Sequence, residues 1–346
     1  MDACIHPLSH GKFYLACDKH RKNKVFLTGF VFEQLVICEV RIMGKIVFMF
    51  PGQGAQYVGM GKDFYDSFAC SREIFDQANE VLDIDVKKLC FEANEEIHIT
   101  EYTQIAMLTT EAAILAALRE KGMQSQVHAG LSLGEYGALL ASGVLSLEDA
   151  FRVVRERGIL MQEAVPQGGA MSAVLGMDGE KIAEICEEIT GIVSVANYNC
   201  PGQVVITGEK EAVDEAVEHL KATGAKRCIP LQVSGPFHSP MLKEAGEKLG
   251  NVLEEITIRD ISIPYLTNVT ADYVTEKEKI KELLKKQVYS PVRWQQSVER
   301  MIADGTDTFI EVGPGKTLTG FLRKINRNVK GIKIENIEDL KNIDLV

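Results

Sequence analysis

The feature that most constrains this chain is a glycine–serine–glycine turn placed between an apolar run and a helix-like segment. Residues 130–136 read Gly-Leu-Ser-Leu-Gly-Glu-Tyr; they follow the apolar run that ends at Ala129 and precede the helix-like residues 138–141. This G-x-S-x-G spacing is typical of a sharp strand-to-helix turn that exposes its serine at the tip. It predicts an enzyme that handles acyl groups, with Ser132 as the nucleophile and the backbone amide of Leu133 beside it.

The same residues permit a purely structural interpretation. Ser132 and Glu135 also fit the S-x-x-E pattern of a capping box, in which both side chains only satisfy the free amides that begin a helix. The motif alone leaves both interpretations open, and the rest of the sequence has to separate them.

Composition argues against several classes of protein. The 346 residues, 46% of them hydrophobic and 25% charged, are typical of one large globular domain or two smaller ones. A formal net charge of −11 argues against nucleic-acid binding, which needs a basic surface. The apolar run at residues 25–32 is interrupted by Glu33 and Glu39, well short of the roughly 20 residues that span a membrane. We therefore expect neither a nucleic-acid partner nor a membrane partner.

The eight cysteines argue against a metal site and for a reducing compartment. They are scattered without a C-x-x-C pair, and the chain contains no H-E-x-x-H motif, so the spacing of zinc ligands is absent. Scattered thiols are typical of a cytoplasmic protein, and no secretory signal is evident. We expect a cytoplasmic protein without a bound metal.

Residues 1–42 differ from the rest of the chain. They hold three of the seven histidines and three of the eight cysteines without a clear period, and Met43 then opens directly onto the strand-like residues 46–50. We predict that the true start is Met43 and that residues 1–42 are not part of the catalytic fold. A native extension or a cloning artefact is the alternative.

The remaining chain alternates strands and helices, which predicts an α/β fold with a parallel sheet and flanking helices. Residues 168–233 follow a different order, strand–helix–strand–strand–helix–strand, which is the ferredoxin-like unit. We predict that this small subdomain is inserted into a large α/β subdomain formed by residues 43–167 and 234–346. Predicted elements of the large subdomain are strands at 46–50, 263–267 and 308–312 and helices at 104–121, 147–164, 243–255 and 276–287.

Two glycine-rich turns fail as nucleotide sites. In Phe50-Pro-Gly-Gln-Gly-Ala-Gln56 the third glycine of G-x-G-x-x-G would fall at Tyr57. Gly315-Lys-Thr317 resembles the end of a phosphate loop, yet Ile310 occupies the position of the first glycine. Both are predicted to be ordinary turns, although the first would present the backbone amide of Gln53 near a strand end, where it could receive an anion.

A nucleophilic serine needs a general base, and three histidines are candidates. His128 lies only four residues before Ser132, about 13 Å away along an extended strand, and cannot easily reach it. His219 lies in an outward-facing helix. His238 lies in a turn-rich loop where the chain returns to the large subdomain, and such a junction is a natural cleft wall. His238 is the candidate base, with a surface or capping role as the alternative.

The helix predicted at 147–164 carries three arginines. Glu148 and Arg152 are four residues apart on a face away from the apolar stripe, where they can pair. Arg155 lies on the same face, and all three are predicted to be solvated. Arg157 falls beside the stripe, where a charge needs a partner. Either an acidic residue of the protein forms a salt bridge with Arg157, or its guanidinium waits for the carboxylate of a substrate.

Seven blocks of the sequence occur together in a characteristic order. They are Phe50-Pro-Gly-Gln-Gly-Ala-Gln56, Gly130-Leu-Ser-Leu-Gly-Glu135, Arg157-Gly-Ile-Leu-Met161-Gln, Asn199-Cys-Pro-Gly-Gln203, Gly235-Pro-Phe-His238, Gln287-Val-Tyr-Ser-Pro-Val-Arg-Trp294 and Glu311-Val-Gly-Pro-Gly-Lys316. In these blocks the chain resembles the acyltransferase family typified by bacterial malonyl-CoA:acyl carrier protein transacylase, over about residues 43–330. The resemblance implies a hydrolase-like core with a ferredoxin-like insert, in agreement with the independent prediction for 168–233.

The resemblance also implies the chemistry of the site. Ser132 would attack a malonyl thioester, His238 would remove its proton, and the backbone carbonyl of Gln287 would orient the imidazole in place of a triad acid. The backbone amides of Gln53 and Leu133 would hold the oxyanion. Ester formation on a serine followed by attack of a thiol is ping-pong acyl transfer, as in fatty acid synthesis.

The family also implies a pocket for a charged acyl group. Arg157 would pair with the malonyl carboxylate, and Gln104, Met161 and Asn199 would line the substrate site. No cofactor is implied, because coenzyme A and the phosphopantetheine of acyl carrier protein act as substrates. One position departs from the usual motif, which has histidine where this chain has Leu131. In the family, the histidine at this position is not the general base. Its replacement by Leu131 therefore leaves the expected mechanism unchanged and removes only a polar side chain next to the elbow.

Three other functions remain open from the sequence: a serine esterase, a trans-acting acyltransferase for polyketide synthesis, and a noncatalytic docking module for the carrier protein. Arg157 argues against a lipid esterase, and the retained Ser132 and His238 argue against a docking module. No coiled coil or exposed apolar helix face is evident, so we expect a monomer. The densest basic segment, formed by Arg323, Lys324, Arg327 and Lys330, is typical of a solvated face, and no docking surface for the carrier protein is assigned from the sequence.

Overall fold

The computed structural model describes residues 5–7, 13–15, 44–165, 167–233 and 235–343. The chain divides into two units, Met1–Gly44 and Lys45–Val346. In the first unit, strand β1 (Ile5–Pro7) pairs antiparallel with strand β2 (Phe13–Leu15). Most of residues 1–42, together with Met43, lie outside the described residues, so the predictions about this segment stay predictions.

The second unit alternates strands and helices along the chain. Its described strands are β3 (Lys45–Phe50), β4 (Val127–Gly130), β5 (Gly169–Leu175), β6 (Val193–Cys200), β7 (Gln203–Glu209), β8 (Arg227–Pro230), β9 (Thr306–Val312) and β10 (Lys330–Ile334). Its described α-helices are α1 (Lys62–Ser67), α2 (Ala69–Val81), α3 (Val86–Phe91), α4 (Thr100–Glu120), α5 (Gly134–Ala141), α6 (Leu147–Glu163), α7 (Gly179–Glu188), α8 (Lys210–Ala222), α9 (Lys243–Glu254), α10 (Ile280–Gln287), α11 (Trp294–Ala303), α12 (Thr317–Ile325) and α13 (Ile337–Lys341). Single 3-10 turns lie at Glu96–His98, Pro240–Leu242 and Lys277–Lys279.

Four strands form the predicted parallel sheet, in the order β10-β9-β3-β4. Successive side chains of β3 point into two different apolar clusters: Phe48 and Phe50 pack into one, and Val47 and Met49 pack into the other. A parallel sheet needs such burial on both faces, because its crossover helices cover both sides. The predicted α/β class is confirmed, and the carboxyl ends of β3 and β4 lie side by side.

Four further strands form an antiparallel sheet in the order β6-β7-β5-β8, with α7 and α8 packed against it around a separate apolar cluster. The element order β5-α7-β6-β7-α8-β8 is the predicted ferredoxin-like arrangement. Backbone hydrogen bonds from Tyr198 to Val292, and from Val292 to Ala196, join β6 to the segment that precedes α11. The antiparallel sheet is thereby fastened beside the parallel sheet.

The helices α4 and α6 bring polar side chains to the centre of the molecule. Ser146 precedes α6, and its hydroxyl accepts a hydrogen bond from the amide of Asp149, which caps the helix. Helix α4 is buried on almost every face and packs along α6. Together they place Gln104 next to Arg157.

The strand predicted at 263–267 is absent as a regular element. Tyr265 forms an isolated parallel bridge to His128 of β4, and Leu266 forms an isolated antiparallel bridge to Tyr273. Pro264 has no amide proton to donate, so it can accept a hydrogen bond from the His128 amide but cannot extend a ladder. The segment therefore runs along the sheet edge as irregular chain.

Several boundaries also differ from the predicted ones. The first long helix begins at Thr100 rather than at Gln104, and of its four earlier residues Thr100 and Thr103 are buried. The helix predicted from 276 begins as an α-helix only at Ile280, after a 3-10 turn. The last strand of the small sheet, which the residue pattern predicts over 225–233, spans only Arg227–Pro230.

Candidate active site

The predicted elbow joins β4 to α5, with Ser132 at its tip at φ = 53°. This left-handed conformation is costly for a residue with a side chain. The flanking glycines are required by space: a Cβ on Gly130 would lie 1.9 Å from the carbonyl oxygen of Gly134, and one on Gly134 would lie 2.0 Å from that of Phe50. The G-x-S-x-G spacing therefore follows from the crossing of β3, β4 and α5.

The capping-box interpretation of this turn is wrong. Leu133 is the N-cap of α5, and no side chain caps the helix start. The Oε2 atom of Glu135 accepts hydrogen bonds from the backbone amide of Asn268 at 3.0 Å and from Nε2 of Gln287 at 2.8 Å. Glu135 therefore holds two distant segments to the elbow, and the Ser132 hydroxyl is left for other contacts.

The Ser132 hydroxyl contacts His238, the predicted base. Its Oγ lies 2.7 Å from Nε2 of His238, and Nδ1 of His238 lies 2.8 Å from the backbone oxygen of Gln287. A carbonyl oxygen only accepts, so Nδ1 carries the proton and Nε2 is free to accept from the serine. Burial, reinforced by the nearby Arg157 charge, lowers the pKa of His238 to about 4, against opposing backbone hydrogen bonds. The imidazole is neutral at pH 7, as a general base must be.

The other two candidate histidines are not bases for Ser132. Both ring nitrogens of His128 are occupied, at 2.7 Å by the hydroxyl of Ser125 and at 2.8 Å by that of Ser142. Burial lowers the pKa of His128 to about 3. His219 is exposed on α8. The prediction that excluded both is confirmed by these positions.

Gln53 and Leu133 are the two residues whose backbone amides are candidates for holding an oxyanion. Both line the same cavity as Ser132. The side chain of Gln53 donates to Oγ1 of Thr100 at 3.0 Å, which anchors its loop to the start of α4. Within the described part of the chain, neither backbone amide donates to a protein acceptor. Two such amides beside a nucleophile are suited to holding a developing oxyanion.

Arg157 is buried next to the nucleophile, with only 1% of its surface exposed. Its Nη1 donates to Oε1 of Gln104 at 2.6 Å, and its Nη2 donates to Oε1 of Gln287 at 2.9 Å and to Oγ of Ser132 at 3.2 Å. Its guanidinium also lies over the ring of Tyr136, 5.4 Å from the centroid. Burial lowers the pKa of Arg157 from its ordinary value, yet a guanidinium stays protonated in proteins.

No carboxylate among the described residues forms an ion pair with Arg157 within 4.0 Å. The salt-bridge interpretation of this arginine is therefore not supported, and its partners are neutral amide and hydroxyl oxygens. Glu135 interacts with the Arg157 charge only electrostatically, without an ion pair. Burial makes such an unpaired charge costly. Arg157 therefore presents a charge to the cavity that an anionic ligand can neutralise.

The prediction for Arg155 is wrong. Arg155 is buried and forms ion pairs with Glu101 at 3.0 Å and with Asp83 at 3.2 Å. The face that looked solvated from the helix period is covered by the start of α4 and the segment after α2. Arg152 and Glu148, by contrast, are exposed and paired at 2.6 Å, as predicted.

These groups share one cavity of about 210 Å³. Eight of the nine predicted site residues line it, and the ninth, Gln287, contributes through its hydrogen bonds to His238 and Arg157. The eight are Gln53, Gln104, Ser132, Leu133, Arg157, Met161, Asn199 and His238. Asn199 comes from the antiparallel sheet, and Nε2 of Gln104 lies 3.5 Å from the sulfur of Met161. The cavity therefore lies between the two sheets.

Leu131, the departure from the family motif, also lines the cavity and is half-buried against the apolar cluster around Trp294. Sequence reasoning missed three contributors: Asn268, the carboxylate of Glu135 and the side chain of Gln287. A signal for Asn268 was present, because a polar residue directly after a predicted strand often lies at the active end of a sheet. The pairing of Glu135 with Gln287 had no local signal.

Two absences apply to the described ranges. No group of three or more His, Cys, Asp or Glu side chains in residues 44–165, 167–233 and 235–343 is arranged to hold a metal ion. Among the helices of those same ranges, none has both the length and the apolar character needed to cross a bilayer.

An elbow serine with a neutral histidine and an unneutralised arginine in one cavity defines an enzyme that moves acyl groups through a serine ester. Comparison with known proteins gives the family. The chain belongs to the acyl transferase domain family, whose sequence model matches residues 47–341.

Individual relatives are similar over nearly their whole length. The chain is 48% identical over 304 residues to malonyl CoA-acyl carrier protein transacylase of Bacillus subtilis strain 168, covering 86% of this chain and 96% of that protein. The crystal structure of a malonyl CoA-acyl carrier protein transacylase from Clostridium perfringens has a TM-score of 0.84 at 48% identity, covering 86% and 95% of the two chains. A malonyl-transacylase in complex with its type II polyketide synthase acyl-carrier protein has a TM-score of 0.83 at 41% identity, covering 86% and 98%.

Proposed function

We propose that this chain transfers a malonyl group from malonyl-CoA to the phosphopantetheine thiol of acyl carrier protein through an ester on Ser132, and so supplies fatty acid synthesis. The observation that carries the proposal is the buried Arg157, whose Nη2 lies 3.2 Å from the Ser132 hydroxyl without a carboxylate partner in the described chain. A malonyl group has a free carboxylate at the distance of one methylene from its thioester carbonyl. The names of the relatives support the same substrate.

In the first half-reaction, Oγ of Ser132 attacks the thioester carbonyl while its proton passes to Nε2 of His238. The negative charge on the carbonyl oxygen is received by the amides of Gln53 and Leu133. When the tetrahedral intermediate collapses, the C–S bond breaks, and His238 returns the proton to the departing thiolate. Coenzyme A leaves, and malonyl-Ser132 remains.

In the second half-reaction, the thiol of the carrier's phosphopantetheine occupies the place that coenzyme A left. His238 Nε2 takes the thiol proton, the sulfur attacks the ester carbonyl, and the same amides receive the charge. Collapse breaks the C–O bond, and the proton moves from His238 to Ser132. One neutral histidine thus serves both halves, and no further cofactor enters because both thiols are substrates.

The acyl pocket distinguishes the substrate. Arg157 would bind the malonyl carboxylate, with Gln104 holding one of its nitrogens in place. Met161 and Asn199 would form the walls from two different elements. The use of the Gln287 carbonyl in place of a triad acid fits a thioester donor, because a thioester needs less stabilisation of the imidazolium than an amide does.

Intact-mass measurement tests this proposal. Mixing the protein with malonyl-CoA should add the mass of one malonyl group to the wild type and none to Ser132→Ala. Subsequent addition of holo carrier protein should remove that mass and transfer it to the carrier. Acylation that persists in Ser132→Ala, or an ester that only water removes, would overturn the proposal.

A second function is favoured by one relative, the malonyl-transacylase that forms a complex with a polyketide carrier protein. The same chemistry would then load a polyketide carrier instead of a fatty acid carrier. Parallel loading assays with both carriers, compared by kcat/KM, separate the two. A serine esterase is disfavoured, since Arg157 gives a neutral acyl chain no favourable contact.

Organisation and location extend the proposal. We propose that residues 43–167 and 234–346 act as one large subdomain, that residues 168–233 act as a small one, and that residues 1–42 take no part in catalysis. A monomer in the cytoplasm would meet both substrates. The five cysteines that are described are free thiols, which is consistent with a reducing compartment.

A further inference from the structure

Asn268 lies at the edge of the elbow without lining the cavity. It ends the irregular segment beside β4, where the amide of Leu266 donates to the carbonyl of His128. Asn268 is 2% exposed, and its own carbonyl accepts from the amide of Arg293. A buried amide side chain at this point has to find partners for both of its polar atoms.

Both partners belong to the elbow. Oδ1 of Asn268 accepts from the backbone amide of Ser132 at 2.6 Å, and Nδ2 donates to the backbone carbonyl of Gly130 at 2.6 Å. The side chain thus bridges one donor and one acceptor that the sharp turn removes from the parallel ladder. Of the common side chains, only a carboxamide of this length offers a donor and an acceptor in one plane.

The bridge decides which amide is free beside the nucleophile. Because the amide of Ser132 is engaged by Asn268, it is not available to an oxyanion, whereas the next amide, of Leu133, has no protein acceptor in the described chain. The bridge also ties down the residue whose φ of 53° is costly. Holding a strained nucleophile and an amide donor in place is preorganisation, which accelerates reaction without changing the groups that react.

We infer that Asn268 is a positioning residue that clamps the elbow and thereby sets the rate of acylation of Ser132. The inference rests on the proposed function in assuming that Ser132 is acylated, but it does not depend on which acyl group is used. Asn268→Ala should lower kcat for malonyl loading roughly ten- to a hundredfold, less than the roughly 10²–10³ lost when an oxyanion donor is removed, because the Leu133 amide would be displaced and not removed. KM for malonyl-CoA should change less than about twofold, because the contacts of Arg157 are retained.

The test uses a second reagent that reacts with Ser132 but carries no acyl group. Phenylmethylsulfonyl fluoride should inactivate the wild type by sulfonylating Ser132 with release of fluoride, and Asn268→Ala should react more slowly by a similar factor. Ser71→Ala is the matched control, because the hydroxyl of Ser71 in α2 makes another buried hydrogen bond to a backbone carbonyl, that of Ala113 in α4, at 2.7 Å. The control should lower the melting temperature without changing either rate.

A conservative variant separates positioning from folding. Asn268→Asp keeps an acceptor for the Ser132 amide but, while ionised, loses the donor to Gly130. Its loading rate should lie between those of wild type and Asn268→Ala and should rise as the pH is lowered from 8 to 6, where a protonated carboxyl regains that donor. Two charged groups contact the same elbow: Glu135 accepts from the Asn268 amide, and Arg157 donates to the Ser132 hydroxyl. The wild-type profile in that range should be flat.

Several outcomes overturn the inference. Rates in Asn268→Ala within twofold of those of Ser71→Ala would show that the bridge only stabilises the fold. Loss of folding in both Asn268 variants would lead to the same conclusion. If the wild type reacts with the sulfonyl fluoride but not with malonyl-CoA, the proposed function fails, and the sulfonylation rates still decide the role of Asn268.

Discussion

Nη2 of Arg157 lies 3.2 Å from Oγ of Ser132, so the one buried cation of the cavity and the nucleophile are direct neighbours. An anionic group bound by this guanidinium would lie next to the ester oxygen. Recognition of the acyl group and formation of the ester therefore occur at one point, and substitutions of the arginine should affect the choice of substrate more than the chemistry.

Arg157→Ala should reduce kcat/KM for malonyl-CoA by at least about a hundredfold. Removing one partner of a buried, charge-assisted pair costs on the order of 3–5 kcal/mol, and each 1.36 kcal/mol is tenfold in rate. Acetyl-CoA has no carboxylate to lose and should be used equally well or better. Arg157→Lys should recover only part of the malonyl activity, because an ammonium cannot make the two-pronged contact.

The decisive measurement is the ratio of kcat/KM for malonyl-CoA to that for acetyl-CoA. Arg152→Ala is the control, since Arg152 lies on the same helix but is exposed and paired with Glu148. An unchanged ratio in Arg157→Ala would mean that this arginine only supports the structure.

The pH profile of loading should reflect the lowered pKa of His238. A general base works only when it is unprotonated, and burial next to Arg157 keeps His238 unprotonated down to about pH 4. Activity should therefore be constant from pH 8 to roughly pH 5 and be lost as the pH falls through about 4, with kcat/KM reporting the free enzyme.

The fluorescence of Trp294, the single tryptophan and fully buried, shows at each pH whether the protein is still folded. An apparent pKa near the ordinary histidine value of 6.5, with unchanged fluorescence, would mean that the imidazole is better solvated than the structure places it.

Gly134→Ala should destabilise the fold severely. The new Cβ would lie 2.0 Å from the carbonyl oxygen of Phe50, a backbone atom of the central strand that cannot move aside. Overpacking costs about 1–3 kcal/mol or more, and this contact is with backbone. Urea unfolding followed by tryptophan fluorescence measures the loss.

Gly320→Ala is the matched control for that measurement. Gly320 lies inside α12, where an added Cβ meets nothing within 4 Å. Alanine should therefore stabilise the helix by about 0.4–1 kcal/mol. Equal effects of the two substitutions would contradict the steric account of the elbow.

A chain that begins at Met43 should fold and transfer malonyl at a rate close to that of the full chain. Every functional block lies after that residue, and the central strand begins at Lys45. Soluble yield, melting temperature and kcat of the two chains are the measurements. Loss of soluble protein or of activity on truncation would show that residues 1–42 belong to the working structure.

The sequence predicted the parts of the site that have a local pattern. The two glycines around Ser132 form a pattern that lies within five residues, although one of the contacts that require them is with Phe50, and the helix period alone placed Arg157 on the buried side of α6. Pairing over long separations had no such pattern. Asn268 contacts the amide of Ser132 from 136 positions away, and no periodicity reports such a contact.

The error at Arg155 has the same origin. Its face is polar by the helix period, and only the packed structure brings Glu101 and Asp83 over it. Similarly, the element at 263–267 has the composition of a strand, but it forms only isolated bridges, to His128 and to Tyr273. Local chemistry thus predicts which residues can act, whereas their supporting partners depend on the tertiary arrangement.

Gln287 contacts the base through its main chain and the arginine through its side chain. A point mutation changes the side chain but cannot delete a peptide carbonyl. The orientation of His238 is therefore protected against single substitutions in a way that a triad carboxylate is not, whereas the surroundings of Arg157 can be altered at the same position. In evolutionary terms, a substitution at 287 would alter the surroundings of Arg157 and the tie between this side chain and the elbow, while the carbonyl that orients His238 would be retained.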